Sequence, residues 1–307
     1  RAHAVEHLPF WGCPPPRRTV RIDGPYRSGV VKLKDLTVRL LTAGLLIPVL
    51  GWALLLASPW VWYAVVALAI AVSAAELFSM THGRDPIGQA IGVASTLLVS
   101  GSIYLYSDDA RALLTVLLLL PMVGMLVPLW RLGEVATAGP RQMAGVAGPL
   151  YLGALLTTLA LLRRDLGADG PGYVAMAVTF AWCGDTGAYF AGSYLGKVKL
   201  YPEISPAKTR AGLLGAVGGS CVAALPAHFW YLPAVPLADA VGLAVVAGLL
   251  GQAGDLVESL LKRSSGTKDS GWILPGHGGV LDRIDSLTTV GPIVYLYALW
   301  AAAGAPG

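Results

Sequence analysis

The sequence predicts an all-α, polytopic integral membrane protein with about nine transmembrane helices. Three observations point there: 55% of the 307 residues are hydrophobic, only 13% are charged, and apolar runs follow one another from Leu40 to the C-terminus. A helix needs about 20 mostly apolar residues to cross a bilayer, so a chain of this length crosses several times and keeps polar loops. The mean hydropathy of +0.63 lies well outside the soluble range.

The runs cover roughly 40–57, 60–79, 89–106, 112–130, 145–162, 172–193, 211–231, 238–261 and 287–304. Ser58 and Pro59 break the first from the second. Pro121 lies inside the fourth, where it removes a backbone donor and favours a kink. Residues 1–30 are rich in Pro, Arg and Gly without an apolar run, and read as a disordered or non-native extension, with a start near Val30 or Val31. Residues 31–307 then form one membrane-embedded domain, with polarity gathered in its C-terminal third.

Lys and Arg set the orientation, because cytoplasmic loops retain positive charge. With the N-terminus inside, the cytosolic side receives Arg39, Arg84, Arg131, Arg141, Lys197, Lys199, Lys208, Arg210, Lys262, Arg263, Lys268 and Arg283. The far side receives Arg111 and one misfitting pair, Arg163 and Arg164. The net charge of +4 therefore reports topology and implies no nucleic-acid partner. Cys13, Cys183 and Cys221 form no CxxC pair and are assigned no role.

From Asp255 to Asp285 the chain carries nine charged side chains and a histidine. Ionisable groups in or beside a span are costly and face protein or a water-filled cavity, which makes them functional candidates. On a helix, Asp255, Glu258, Ser259 and Lys262 share one face; the alternative is a salt-bridged face that only fixes packing. Asp282 and Asp285 also share a face, although such a pair is commonly a solvated helix end. Oxygen ligands without a Cys or His cluster favour Mg²⁺ over zinc. Lys262, Arg263 and Lys268 stand ready to neutralise phosphate.

The PGHGGV stretch between these clusters has glycines that let backbone N–H groups approach an anion, and it is not a Walker loop. His277 within it reads equally as a phosphate or proton partner and as a structural residue. A second polar patch runs from Gly184 to Thr209, with Asp185 buried by its surroundings. There Ser205 and Pro206 mark a turn, and Lys208 and Thr209 either meet phosphate or form a basic membrane anchor.

The string with Ser259, Lys262, Arg263, Lys268, Asp269, Pro275, His277, Gly278, Gly279, Asp282, Arg283 and Asp285 resembles the signature of the phosphatidate cytidylyltransferase (CDP-diacylglycerol synthase) family. Asp185, Tyr189, Gly196, Lys197 and the Ser205–Thr209 string share the likeness, with Ala207 where the family often has a polar residue. It extends from about residue 35 to the C-terminus.

The resemblance implies a transferase that joins CTP and phosphatidate into CDP-diacylglycerol and pyrophosphate, with its site facing the cytosol, and the missing organellar targeting pattern favours a bacterial cytoplasmic membrane. It implies a cavity open to cytosol and lipid, with Mg²⁺, and room for a second cation such as K⁺, near Asp255 and Asp282. Glu258 and Asp185 would support the metal. Asp285 would act with Asp255, Asp282, Lys262 and Arg263 in catalysis, while Ser205, Lys208, Thr209, Ser259, Lys268, His277, Gly278, Gly279 and Arg283 would contact substrate. A homodimer is compatible with it.

Two other readings come from the residues. A transporter would use Asp185, Asp255 and Glu258 for protons or cations, but these acids cluster with basic residues and a Gly-rich loop on one side. A CDP-alcohol phosphotransferase would carry a DGxxAR string, which is absent. A lipid-binding protein with a decayed site ranks last, because every candidate position holds a competent side chain.

Overall fold

The computed structural model describes residues 44, 46–131, 133–271 and 278–304. The expected N-terminal extension with its start, together with Arg39 and His277, falls outside these residues. The described chain is mostly helical: α1 (Leu46–Leu55), α2 (Pro59–His82), α3 (Pro86–Tyr106), α4 (Ala110–Trp130), α5 (Val135–Gly148), α6 (Leu155–Asp165), α7 (Gly170–Leu195), α8 (Arg210–Pro226), α9 (Leu237–Ser264), α10 (Leu281–Ile284) and α11 (Leu287–Gly304). A wide π turn, Pro149–Ala154, joins α5 to α6, so the two run on as one rod.

Local chemistry accounts for where the helices start. Pro59 and Pro86 occupy first turns, where a missing N–H costs nothing. Asp85 caps α3 by accepting from Gly88 N at 3.1 Å, and Asp109 caps α4 through Arg111 N and Ala112 N.

Each of the nine expected apolar runs coincides with a helical segment. Among the described residues, six helical stretches are both long and apolar enough to cross a membrane: α2, α3, α4, the α5–α6 rod, α8 with its terminal turn, and α9. The described part of α1 is too short, and α7 turns polar from Gly184 onward.

One element departs from an all-helical chain. β1 (Lys199–Tyr201) and β2 (Ser205–Thr209) pair antiparallel, with Lys199 opposite Thr209 and Tyr201 opposite Ser205. Ser205 and Pro206, expected at a turn, begin the second strand; the turn lies one step earlier, where Ile204 N donates to Tyr201 O. Pro206 is tolerated because a two-stranded ribbon is all edge.

Helices α2–α6 form one half and α7–α9 the other, with α11 packed against α6, α7 and α9. Ile70 and Phe78 of α2, Leu162 of α6, Phe180 of α7 and Val294 of α11 are fully buried. The tightest pairing is α7 against α8, where Gly187 meets Gly215 and Gly219, and a Cβ on Gly187 would run into the Gly215 backbone. Lipid offers helices no hydrophobic drive to associate, so close backbone packing of small residues supplies it.

The misfitting arginines are explained by helix ends. Arg163 donates to the carbonyls of Leu54 (2.8 Å) and Ala57 (3.2 Å) at the end of α1. Arg164 donates to Tyr104 O and to Ser107 Oγ (2.7 Å) at the end of α3 and lies over the Tyr104 ring. Both guanidinium groups satisfy carbonyls that a helix leaves unpaired. On the other side, Arg131 pairs with Asp85 at 2.9 Å and ties the loop after α4 to the loop after α2.

Candidate active site

Four elements converge at one end of the bundle: the last turns of α9, the hairpin, α10 with its following residues, and the middle of α7. On α9 the three- and four-residue offsets place Asp255, Glu258 and Lys262 on the same face, as expected. Oxygens of Asp255, Glu258 and Asp285 all lie within 4.8 Å of one another. Glu258 is almost completely buried, and its Oε1 has no hydrogen-bond partner. Asp282 stands beside this triad, with Oδ1 accepting from Lys262 Nζ at 2.7 Å.

Two lysines bracket the acids. Lys262 Nζ bridges Glu258 (2.6 Å) and Asp282 (2.7 Å), while Lys208 on β2 pairs with Asp255 at 2.7 Å. Lys208 also donates to Gln252 Oε1 at 3.1 Å, and the Gln252 amide donates on to Asp185 Oδ1 at 3.1 Å. Ser286 Oγ donates to the other Asp185 oxygen at 3.1 Å. Asp185, expected to be buried, is exposed as a residue, while its carboxylate is tied inward by Gln252 and Ser286.

The two carboxyls just before α11 sit in opposite electrostatic settings. Burial works against charge on Asp282, but bonds to Glu258, Lys262 and Gly279 N outweigh it and hold the group down at about 2. Burial, reinforced by the Asp255 and Asp185 carboxylates, pushes Asp285 up to about 7. A further cation set among the three carboxyls would offset their mutual repulsion. The triad thus fits a divalent ion: its donors are hard oxygens, and Glu258 brings a buried oxygen that the protein leaves unbonded.

The remaining expected residues are spread around this centre. Ser259 Oγ donates to Asp255 Oδ1 at 3.4 Å. Arg263 donates to the Ile204 and Thr267 carbonyls, which ties α9 to the hairpin. Thr209 Oγ1 accepts from Gly212 N at 3.0 Å and so caps α8. Lys268 and Arg283 are exposed, and Ser205 is half-buried in β2. Gly278 has φ of +80°, a conformation that glycine adopts freely, and Gly279 N donates to Asp282 Oδ2 at 3.1 Å.

Glu76, buried in the middle of the bundle on α2, was not singled out by the sequence. Its carboxylate accepts from Ser270 Oγ (3.1 Å), Val280 N (3.0 Å) and Leu281 N (2.9 Å), holding both ends of the glycine-rich loop. Gly271 and Gly279 pack so closely on it that a Cβ at either position would collide with the carboxylate. Its signal was available, since a carboxylate inside a span needs partners. Glu76→Gln keeps the shape but presents an amide donor where N–H groups now point. It is expected to weaken the anchoring by about 1–3 kcal/mol, read as faster proteolysis between Ser270 and Val280; unchanged cleavage would count against the anchor.

Comparisons with known proteins meet this geometry. The cytidylyltransferase family profile matches residues 37–300. The chain belongs to the phosphatidate cytidylyltransferase family. A phosphatidate cytidylyltransferase of Synechocystis is 31% identical over 281 residues, covering 81% of this chain and 92% of the relative. Its counterpart in Brucella suis is 38% identical over 221 residues, 68% of this chain and 74% of the relative. The Bacillus subtilis enzyme reaches 46% over 142 residues, 45% of this chain and 52% of the relative. Membership in this family supports nucleotidyl transfer as the general reaction class. With the apolar helices and these bacterial relatives, it supports an integral protein of a bacterial membrane.

Proposed function

We propose that this chain transfers the cytidylyl group of CTP to phosphatidate, giving CDP-diacylglycerol and pyrophosphate. The observation that carries the reading is the acidic triad Asp255, Glu258 and Asp285 bracketed by Lys208 and Lys262, a pairing suited to phosphates and a metal rather than to ion transport. The Arg- and Lys-rich side that holds this site faces the cytosol, and the nine helical segments cross the membrane.

A phosphate oxygen of phosphatidate attacks the α-phosphorus of CTP; a new P–O bond forms there, the bond to the bridging oxygen breaks, and pyrophosphate leaves. A bound Mg²⁺ supplies charge neutralisation at the phosphate oxygens. Asp255, Glu258 and Asp285 would hold it, with Asp185 linked to them through Gln252 and Ser286. Lys208 and Lys262 are held in position by their carboxylate partners and turn toward phosphate oxygens when substrate arrives. Asp282 fixes Lys262 and the Gly279 N–H, while Arg263, Lys268 and Arg283 guide the triphosphate from water. Ser205, Ser259, Gly278, Gly279 and His277 complete the contacts to substrate.

The test is incorporation of labelled cytidylate into lipid by purified protein given CTP and phosphatidate, before and after chelation of divalent ions. Label in lipid that disappears on chelation and returns with Mg²⁺ is expected. Folded protein that transfers no label would overturn the reading.

A further inference from the structure

Glu76 lies on α2, in the half of the bundle that supplies none of the acids and lysines of the site, and it is only 4% exposed. Its two oxygens are divided among three donors. Oε1 accepts from Val280 N at 3.0 Å, while Oε2 accepts from Ser270 Oγ at 3.1 Å and from Leu281 N at 2.9 Å. Hydrogen bonds to a carboxylate are stronger than those between neutral groups, so the three together fix where α10 begins against α2.

The same short stretch meets a second carboxylate. Asp282 Oδ2 accepts from Ser270 N at 3.4 Å and from Gly279 N at 3.1 Å. Ser270 is therefore held from both sides, its hydroxyl by Glu76 and its amide by Asp282. Gly279 fits between the two acids only because it has no side chain: a Cβ there would meet both Ser270 Oγ and Glu76 Oε2. With Oδ2 so engaged, Asp282 turns Oδ1 to Lys262 Nζ at 2.7 Å, and Lys262 reaches on to Glu258 Oε2 at 2.6 Å. Glu258 then keeps Oε1 unbonded in the group it forms with Asp255 and Asp285. A continuous line of committed oxygens runs from α2 to the acidic triad.

We propose that Glu76 is a positioning residue for the transfer, acting through Asp282: it seats the start of α10 so that Asp282 holds the Lys262 ammonium at the edge of the triad. The proposal rests on the reaction assigned above and gives the half of the bundle outside the site a part in it. Glu76 is not among the acids that could hold a cation, so it acts by placement alone. Lys262 is shared by two acids. When Asp282 drifts, the ammonium falls wholly to Glu258, and a positive charge on a cation's own ligand opposes that cation. Its aim at the phosphates is lost as well, and donors stabilise developing charge only when they are fixed beforehand.

The test uses the full chain in detergent micelles. It reads Mn²⁺ affinity by electron paramagnetic resonance without substrate, turnover of labelled CTP with phosphatidate, and a melting curve on each preparation. Glu76→Gln is expected to weaken Mn²⁺ binding and lower kcat, each by roughly 10- to 100-fold, the range for groups that orient metal ligands, with KM for CTP changed less than kcat. Ser270→Ala removes one of the three donors to Glu76 and is expected to move both readings the same way by a smaller factor; it carries the test if Glu76→Gln does not fold. Wild-type Mn²⁺ affinity or wild-type kcat in the folded variant, whatever its melting temperature, would make Glu76 a structural anchor only and overturn the inference. Mn²⁺ binding that Glu76→Gln weakens, in a chain whose wild type transfers no label, would sink the reaction and leave the positioning role standing.

Discussion

Asp285→Asn is expected to lower turnover by roughly 10²- to 10³-fold, the scale on which a single electrostatic contribution to a transition state is usually worth about 3–4 kcal/mol. The amide keeps the shape of the carboxyl but removes one of three clustered oxygen donors. Asp285 has no lysine partner among the ion pairs given above, so the change strands no cation. It also relieves repulsion with Asp255 and Asp185, so thermal stability in metal-free buffer should hold or rise. Loss of activity together with retained stability is the expected signature, read from label incorporation and a melting curve on the same preparation. Near-normal turnover would remove Asp285 from the metal site.

Lys262→Met should act in the opposite sense on stability. Its ammonium is shared by Glu258 and Asp282, and Glu258 is only 1% exposed. Removing one partner of a buried ion pair typically costs about 3–5 kcal/mol, because the remaining charge has nothing to compensate it. Turnover is expected to fall with the melting temperature. Adding Glu258→Gln and Asp282→Asn to Lys262→Met should restore the melting temperature without restoring activity, since the acids' ionisable groups are then gone. A Lys262→Met protein that melts like wild type would show that the pair carries no such cost.

The helices were legible because bilayer crossing imposes long apolar runs, and each expected run coincides with a helical segment. Helical offsets likewise predicted that Asp255, Glu258 and Lys262 share a face. Spacing along one helix could not reveal which acid from another element would join that face, and it is Asp285 whose oxygen lies with Asp255 and Glu258, while Asp282 bonds Lys262. Nor could it show the partners of Glu76, of which Ser270 lies 194 residues away. Gln252 and Ser286 were hidden for a simpler reason: uncharged polar residues attract no notice until the Asp185 carboxylate is seen to accept from both. The hairpin was missed because Ser205 and Pro206 read as a turn, whereas the chain turns just before them, between Tyr201 and Ser205.

The backbone-to-backbone seam between α7 and α8 bears on how the protein sits in membranes of different thickness. Helices that meet through long side chains can slide when the surrounding lipid thins or thickens, and mismatch is commonly relieved by tilt. Here Gly187, Gly215 and Gly219 leave no side chains to re-pack, so the two helices tilt as one unit. Gly248 of α9 packs just as closely on the Val217 backbone of α8, so Asp185 on α7, Lys208 in the strand that leads into α8 and Gln252 on α9 travel together and keep their link. Changes in host lipid length are absorbed by the orientation of that pair rather than by the spacing of charges at its end.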